Sequence, residues 1–122
     1  KEGRVEVALE FAQKALERAQ RRNSSLEIGN TYCVFAELAS QPSLGLNIDD
    51  SYTKALRYHQ MAGAEVEFAE TQYMYGKSLY ERGRNVEAVT LLEDSCRLFK
   101  KLQHGADFLR ASKLLMTCRG QM

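Results

Sequence analysis

Proline occurs once in these 122 residues, at Pro42, and tryptophan not at all. A chain so short of the residue that breaks helices, and rich in Ala, Leu, Glu, Arg and Lys, is built for helices. No charge sign dominates either: 17 basic and 16 acidic residues leave a net charge of +1, and neither sign forms a long block. A protein held on nucleic acid by counterion release needs a basic excess, so direct nucleic-acid binding is not expected. Arg18 with Arg21 and Arg22 is the densest basic cluster, and it reads as the solvated end of a helix, where the dipole favours cations. No run approaches the roughly eighteen apolar residues of a membrane span, and no signal sequence is visible.

Chemistry-bearing residues are equally sparse. Cys33, Cys96 and Cys118 stand far apart with no CxxC or Cys/His spacing, which suits reduced, buried or half-buried thiols of a cytoplasmic protein. The only histidines, His59 and His104, fall near the ends of second helices of helical pairs and have no acidic or cysteine partner at metal-ligand spacing. Asp49 and Asp50 open a helix, where acids are favoured by capping and by the dipole. Gly3 and Gly83 are single turn glycines, and no Gly-rich phosphate loop follows a strand because no strand is predicted. These observations assign no catalytic residue, no metal ligand and no cofactor, and predict a protein that is not an enzyme.

What the sequence does have is a period. Set in rows of forty, the chain aligns with itself without a gap. Ala15, Ala55 and Ser95 share a column, as do Ala8, Ile48 and Ala88, Glu27, Glu67 and Asp107, and Phe35, Tyr75 and Leu115; Gly3-Arg4 returns as Gly83-Arg84. A fixed period of this size marks stacked repeats.

Within the rows the apolar residues recur at helical spacing. Val5, Ala8, Leu9, Ala12, Ala15, Leu16 and Ala19 predict a first helix, and Asn23-Ser24-Ser25 breaks it. Leu26, Ile28, Tyr32, Phe35, Ala36 and Ala39 predict a second, ended by Gln41-Pro42-Ser43-Leu44-Gly45. Asn47 or Asp49 is expected to cap a third, with Ile48, Tyr52, Ala55, Leu56 and Met61 inward and Gly63 as C-cap. The fourth carries Phe68, Ala69, Tyr75, Gly76, Leu79 and Tyr80; Gly76 costs about 1 kcal/mol against Ala in mid-helix, for which a close helix contact is the usual compensation. Asn85 is a candidate cap for a fifth with Val86, Ala88, Val89, Leu92 and Leu98 to Leu102, and a sixth carries Leu109, Leu114, Leu115 and Met116. The expected fold is therefore all-α, with about six helices in antiparallel pairs.

Gly76, Leu79, Tyr80, Gly83, Ala88, Leu92 and Ser95 fall at the intervals where tetratricopeptide repeats place small residues, large residues and a turn glycine. The third row resembles that family well; Ala8, Ala12 and Ala15 match its second-helix half in the first row, and Ala36, Ile48, Tyr52 and Ala55 match more loosely in the second. The period is forty rather than the family's commoner thirty-four, and the helix-ending proline is missing. Both departures resemble the long-helix subclass in the regulatory portions of bacterial multidomain signalling regulators, similar to the helical domain of the maltose-system activator. The resemblance implies a right-handed solenoid organised as a partial repeat 1–22, repeats 25–62 and 65–102 and a final helix 105–119. With Lys1 in place of Met and the first repeat lacking its first helix, a piece of a longer protein is expected.

In that family the first helix of each pair lines the inner groove. Carried over by position, this implies a groove of Asn30, Cys33, Glu37 and Ser40, then Glu70, Tyr73, Lys77 and Tyr80, then Arg110, Lys113 and Thr117. Aromatic rings, both charge signs and amides suit a peptide or another helix. The carboxylate clamp of one family variant, a Lys and an Asn four apart, is replaced here by Cys33 and Glu37. Tyr73 and Tyr80 read either as a binding shelf or as cover for the seam between helices. The function implied is a non-catalytic protein–protein scaffold in a larger cytoplasmic signalling or transcription-regulating protein, binding a protein or peptide and neither membrane nor nucleic acid. A sensor groove for a small ligand that controls an attached effector domain, and a homo-oligomerisation module, are the alternative readings.

Overall fold

A computed structural model describes residues 2–122. The helices are α1 (Glu2–Arg21), α2 (Ser25–Leu38), α3 (Ile48–Met61), α4 (Glu65–Glu81), α5 (Asn85–Lys101) and α6 (Gly105–Gly120), with one 3-10 turn at Pro42–Leu44. No strand occurs among the described residues, and the all-helical expectation with six helices holds. The partial repeat expected over 1–22 begins at a residue, Lys1, outside the described ones.

One turn geometry is used four times. At Asn23, Gly63, Gly83 and Gln103 the backbone is left-handed, with φ of 53°, 66°, 77° and 61°. In each turn the next residue's N–H reaches back five positions: Ser24 to the Ala19 carbonyl, Ala64 to His59, Arg84 to Leu79 and His104 to Phe99, at 2.8–3.1 Å. The left-handed residue itself donates three positions back, to Gln20, Gln60, Tyr80 and Lys100. These paired bonds satisfy carbonyls that a helix end would otherwise leave open. The residues whose carbonyls take the longer bond are all buried: Ala19, His59, Leu79 and Phe99 are at most 2% exposed. α2 ends differently, on Ala39, with its left-handed residue delayed to Gly45 after Pro42, and so does α6, whose cap Gln121 has φ −106°.

Several local expectations need correction. Gly63 is not the C-cap of α3 but the residue after it, Ala62 being the cap, because the left-handed position of this turn follows the cap. Asn85 is the first residue of α5 rather than its N-cap; Arg84 occupies the cap and makes no side-chain cap bond, since the turn after Gly83 closes within one residue. His104 likewise sits in the turn as the N-cap of α6, not at the end of a helix. Gly3 lies inside α1 instead of a turn; Gly83 closes a helix, whereas Gly3 has none to close among the described residues. Asn47 does cap α3, its side chain accepting from Asp50 N at 2.8 Å.

The chain divides into two units, one ending at Ala64 and the other running from Glu65 to Met122. In the first, α2 packs chiefly on α3 and then on α1, burying Ala12, Ala19, Ile28, Phe35, Ala36, Ala39, Tyr52 and Ala55. Gly29 lets α3 approach: a Cβ there would lie 2.5 Å from His59 Cδ2. In the second, α4 and α6 flank α5 around Ala69, Leu79, Ala88, Leu92, Cys96, Phe99, Ala111, Leu115 and Cys118. Gly76 meets Leu92 there, as its place in mid-helix predicts.

Five residues expected inward are exposed: Leu26, Met61, Val86, Leu109 and Met116, at 36–71%. Leu26 and Val86 are the second residues of their helices and Met61 the last of its own. Leu109 and Met116, seven apart, lie on the side of α6 away from Ala111, Leu115 and Cys118. Conversely Thr31, Ser51, Thr71, Gln72 and Ser95 are buried. Ser95 is accommodated by donating its hydroxyl to the Ala69 carbonyl at 2.9 Å, which meets the cost of burying a polar group.

Candidate functional site

In the second unit α5 runs antiparallel to both its neighbours. Ser95 bonds Ala69, Gly76 abuts Leu92, and the early Glu65 pairs with the late Lys101 at 3.2 Å. On the other side Cys96 meets Ser112 at 3.6 Å and the earlier Glu93 pairs with the later Arg119. It follows that α4 and α6 run in the same direction, so equivalent turns of the two lie side by side.

Three of the expected groove residues meet on this pair. The Arg110 guanidinium stands 4.6 Å from the centroid of the Tyr73 ring, a cation–π contact worth about 0.5–1 kcal/mol at an exposed site. One turn earlier on each helix are Glu70 and Asp107. Asp107 holds Arg110 through Oδ1 at 3.0 Å and lies 3.5 Å from His104 Nδ1 through Oδ2. The half-buried Glu70 carboxyl is pushed above its ordinary value of 4.5, first by burial and then by the charges of Asp107 and Glu67, with Arg110 and His104 opposing. Desolvation and like charge both disfavour the carboxylate, so the directions agree.

Further along the same stripe, Lys77 is exposed on α4 and Lys113 on α6, while Tyr80 is half-buried. Both Tyr73 and Tyr80 pack against the core of this unit. Seam covering therefore accounts for part of each ring, and Tyr73 in addition carries the guanidinium. Thr117 spends its hydroxyl on the Lys113 carbonyl at 3.0 Å, within its own helix.

The α2 residues Asn30, Cys33, Glu37 and Ser40 belong to the first unit. Asn30 is a fastening between helices: its Oδ1 accepts from His59 Nε2 at 2.9 Å, an arrangement that fixes a proton on that nitrogen. Cys33 is half-buried and Glu37 exposed; the Glu37 carbonyl accepts from the Ser40 hydroxyl at 2.9 Å.

Two features were not singled out by sequence. Tyr32 and Tyr58 stack across α2 and α3, centroids 5.9 Å apart and planes 17° from parallel. Lys54 covers Tyr32 at 5.4 Å while pairing with Asp50 at 3.1 Å. The pairing of Asp107 with Arg110 was also passed over. The i,i+3 and i,i+4 charge spacings were the available signals for both.

Among the described residues no group of three or more His, Cys, Asp or Glu side chains is placed to hold a metal ion, and no helix is long and apolar enough to cross a membrane. No family model, no curated protein and no solved structure matches the chain.

Proposed function

We propose that this chain is a tetratricopeptide-like repeat module, non-catalytic, that binds a protein or peptide segment on the faces of its first-of-pair helices, as a regulatory part of a larger cytoplasmic signalling or transcription-regulating protein. The observation that carries the reading is the pairing of Tyr73 with Arg110 on neighbouring co-directional helices. A rigid aromatic face and a planar donor set, side by side and partly exposed, are the residue types that anchor protein interfaces. The turn motif, recurring at Gly63, Gly83 and Gln103 every twenty residues, supports the stacked-repeat reading, since each hairpin is closed in the same way.

The test is chemical crosslinking and affinity capture from cell extract, comparing the native chain with a Tyr73→Ala/Lys77→Ala double variant. Capture of a defined partner that the double variant loses, with its helical content intact, is the expected result. Capture that is indifferent to both substitutions would remove this face as the binding surface.

A further inference from the structure

Tyr32 and Tyr58 of the first unit have Gln72 and Leu98 as their counterparts forty residues on. The two rings stack 5.9 Å apart between α2 and α3. An amide and an aliphatic side chain fill less space, and between α4 and α5 there is a cavity of about 310 Å³ lined by Gln72, Asp94, Arg97, Leu98 and Lys101. Gln72 is only 7% exposed. Its Oε1 is shielded from solvent and has no hydrogen-bond donor in reach among the described residues. A buried acceptor left without a donor costs stability, and folded proteins satisfy nearly all such groups. Room for a ligand and an unmet acceptor therefore coincide at one place.

We propose that the cavity between α4 and α5 is a binding site for a primary carboxamide, the group that ends the side chains of asparagine and glutamine, and that Gln72 recognises it. The Tyr73–Arg110 pair lies between α4 and α6, so the inference does not depend on what binds there.

Each lining group narrows the ligand. An apolar ligand would leave Gln72 Oε1 unpaired, and a carboxylate has no proton to give it. The cations at the rim are already matched: Arg97 pairs with Asp94 at 2.7 Å and Lys101 with Glu65 at 3.2 Å, so neither is free to hold an anion. An ammonium donates but accepts nothing, and a hydroxyl donates and accepts at a single atom. A carboxamide donates to Gln72 Oε1 and accepts from Gln72 Nε2 edge to edge, and it moves no net charge out of water. The last torsion of a glutamine is broad and two-fold, so the amide can turn this edge to the cavity. Half-buried Leu98 supplies an apolar wall for the methylenes that carry the group.

The experiment is an NMR titration of the whole chain with propionamide, propionate and N,N-dimethylpropionamide, at the millimolar and higher concentrations that so small a ligand requires. Propionamide is expected to shift the Gln72 side-chain amide protons and the backbone amides of Leu98 and Lys101 saturably. Propionate, ionised at neutral pH, and the dimethyl amide, which has no N–H, are expected to leave them in place. Gln72→Leu should lose the response and, without ligand, melt at the same or a higher temperature, because an unmet acceptor has been removed. Leu98→Tyr, which sets a ring where Tyr58 has one in the first unit, should fill the cavity and block the response with Gln72 intact. The absence of a saturable shift with propionamide overturns the site. An equal response to the dimethyl amide, or one that persists in Gln72→Leu, overturns recognition by Gln72. A lower melting temperature for Gln72→Leu also overturns it, since the amide would then serve the fold. N-acetylglutamine methylamide and free glutamine present the same group on a peptide and on a free amino acid: the tighter of the two names the source, and binding of neither overturns the proposal.

Discussion

Gly29 of α2 and His59 of α3 are fitted to each other so closely that a methyl group on Gly29 would lie 2.5 Å from His59 Cδ2 and 3.2 Å from the Ala55 carbonyl. Neither neighbour can yield. His59 is 1% exposed and tied to Asn30, and the carbonyl belongs to the backbone.

Gly29→Ala is accordingly expected to destabilise the chain, although alanine is the better helix former by about 1 kcal/mol. Overpacking of this kind costs roughly 1–3 kcal/mol, so the contact outweighs the propensity. Chemical denaturation of the variant, with helical content followed by circular dichroism, would check the sign; a gain in stability would mean that α2 and α3 separate more easily than their packing implies.

Gly76 poses the same question with a softer neighbour, since its Cβ would meet Leu92 Cγ at 2.9 Å and Cδ2 at 3.0 Å. Gly76→Ala alone is expected to be destabilising. Leu92→Ala, at a fully buried position, is expected to cost about 2–5 kcal/mol. Placed in that background, Gly76→Ala should reverse sign and recover about 1 kcal/mol as the helix-propensity gain is freed from the clash. Four denaturation curves, one for each corner of the cycle, measure the reversal.

Gln103 adopts a left-handed backbone, φ 61°, where the equivalent turns use Gly63 and Gly83. Gln103→Gly should relieve that strain and raise stability by up to about 1 kcal/mol, less what glycine loses in chain entropy. Ala64 offers a complementary gain. It stands where Ser24 stands in the α1–α2 turn, and Ser24 accepts from the Glu27 N–H at 3.2 Å. Ala64→Ser should supply a cap to α4 worth about 0.5–1 kcal/mol. Thermal melts of the two variants singly and together should show the gains adding, because the turns lie at opposite ends of different helices.

The thiols differ in reach. Cys118 is fully buried, and burial pushes its thiol above the ordinary value of 9.0. In the folded chain it should resist alkylation while the half-buried Cys33 reacts. The sign with pH is fixed: the unfolded chain gives up the Cys118 proton at a pH where the folded chain keeps it, so stability declines as pH rises through and beyond the ordinary thiol range. Mass spectrometry of timed alkylation, at rising denaturant, would show Cys118 labelling only with global unfolding. Fast labelling under native conditions would mean that α6 opens locally.

Helix identity and most of the core could be read from apolar spacing, because α3 and α5 each bury one well-defined stripe. Ala19, His59, Leu79 and Phe99 carry the carbonyls that close the turns, a role that apolar spacing does not mark. Leu109 and Met116 misled because hydrophobicity alone does not say which of two apolar sides of a helix has a neighbour. Thr71 was missed from the core because apolar spacing does not count hydroxyls, whereas Ser95 was legible from its column with Ala15 and Ala55 and is buried with its hydroxyl on the Ala69 carbonyl. At the site, Glu70, Tyr73 and Arg110 came from family position, whereas the meeting of the Arg110 guanidinium with the Tyr73 ring depends on the relative register of α4 and α6, which no local pattern encodes.

Because the left-handed turns at Gly63, Gly83 and Gln103 fall twenty residues apart, the chain keeps time: an extra residue inside α4 or α5 would turn everything after it by about 100° and carry the buried stripe round to water. The stretch from Ala39 to Asn47 is free of that metronome. It has no such turn at the expected beat, and both helices it joins are short, at 14 residues each. Here alone in the first unit the sequence has room to lengthen, and evolution or an engineer can splice in new loop without moving a single core residue out of phase.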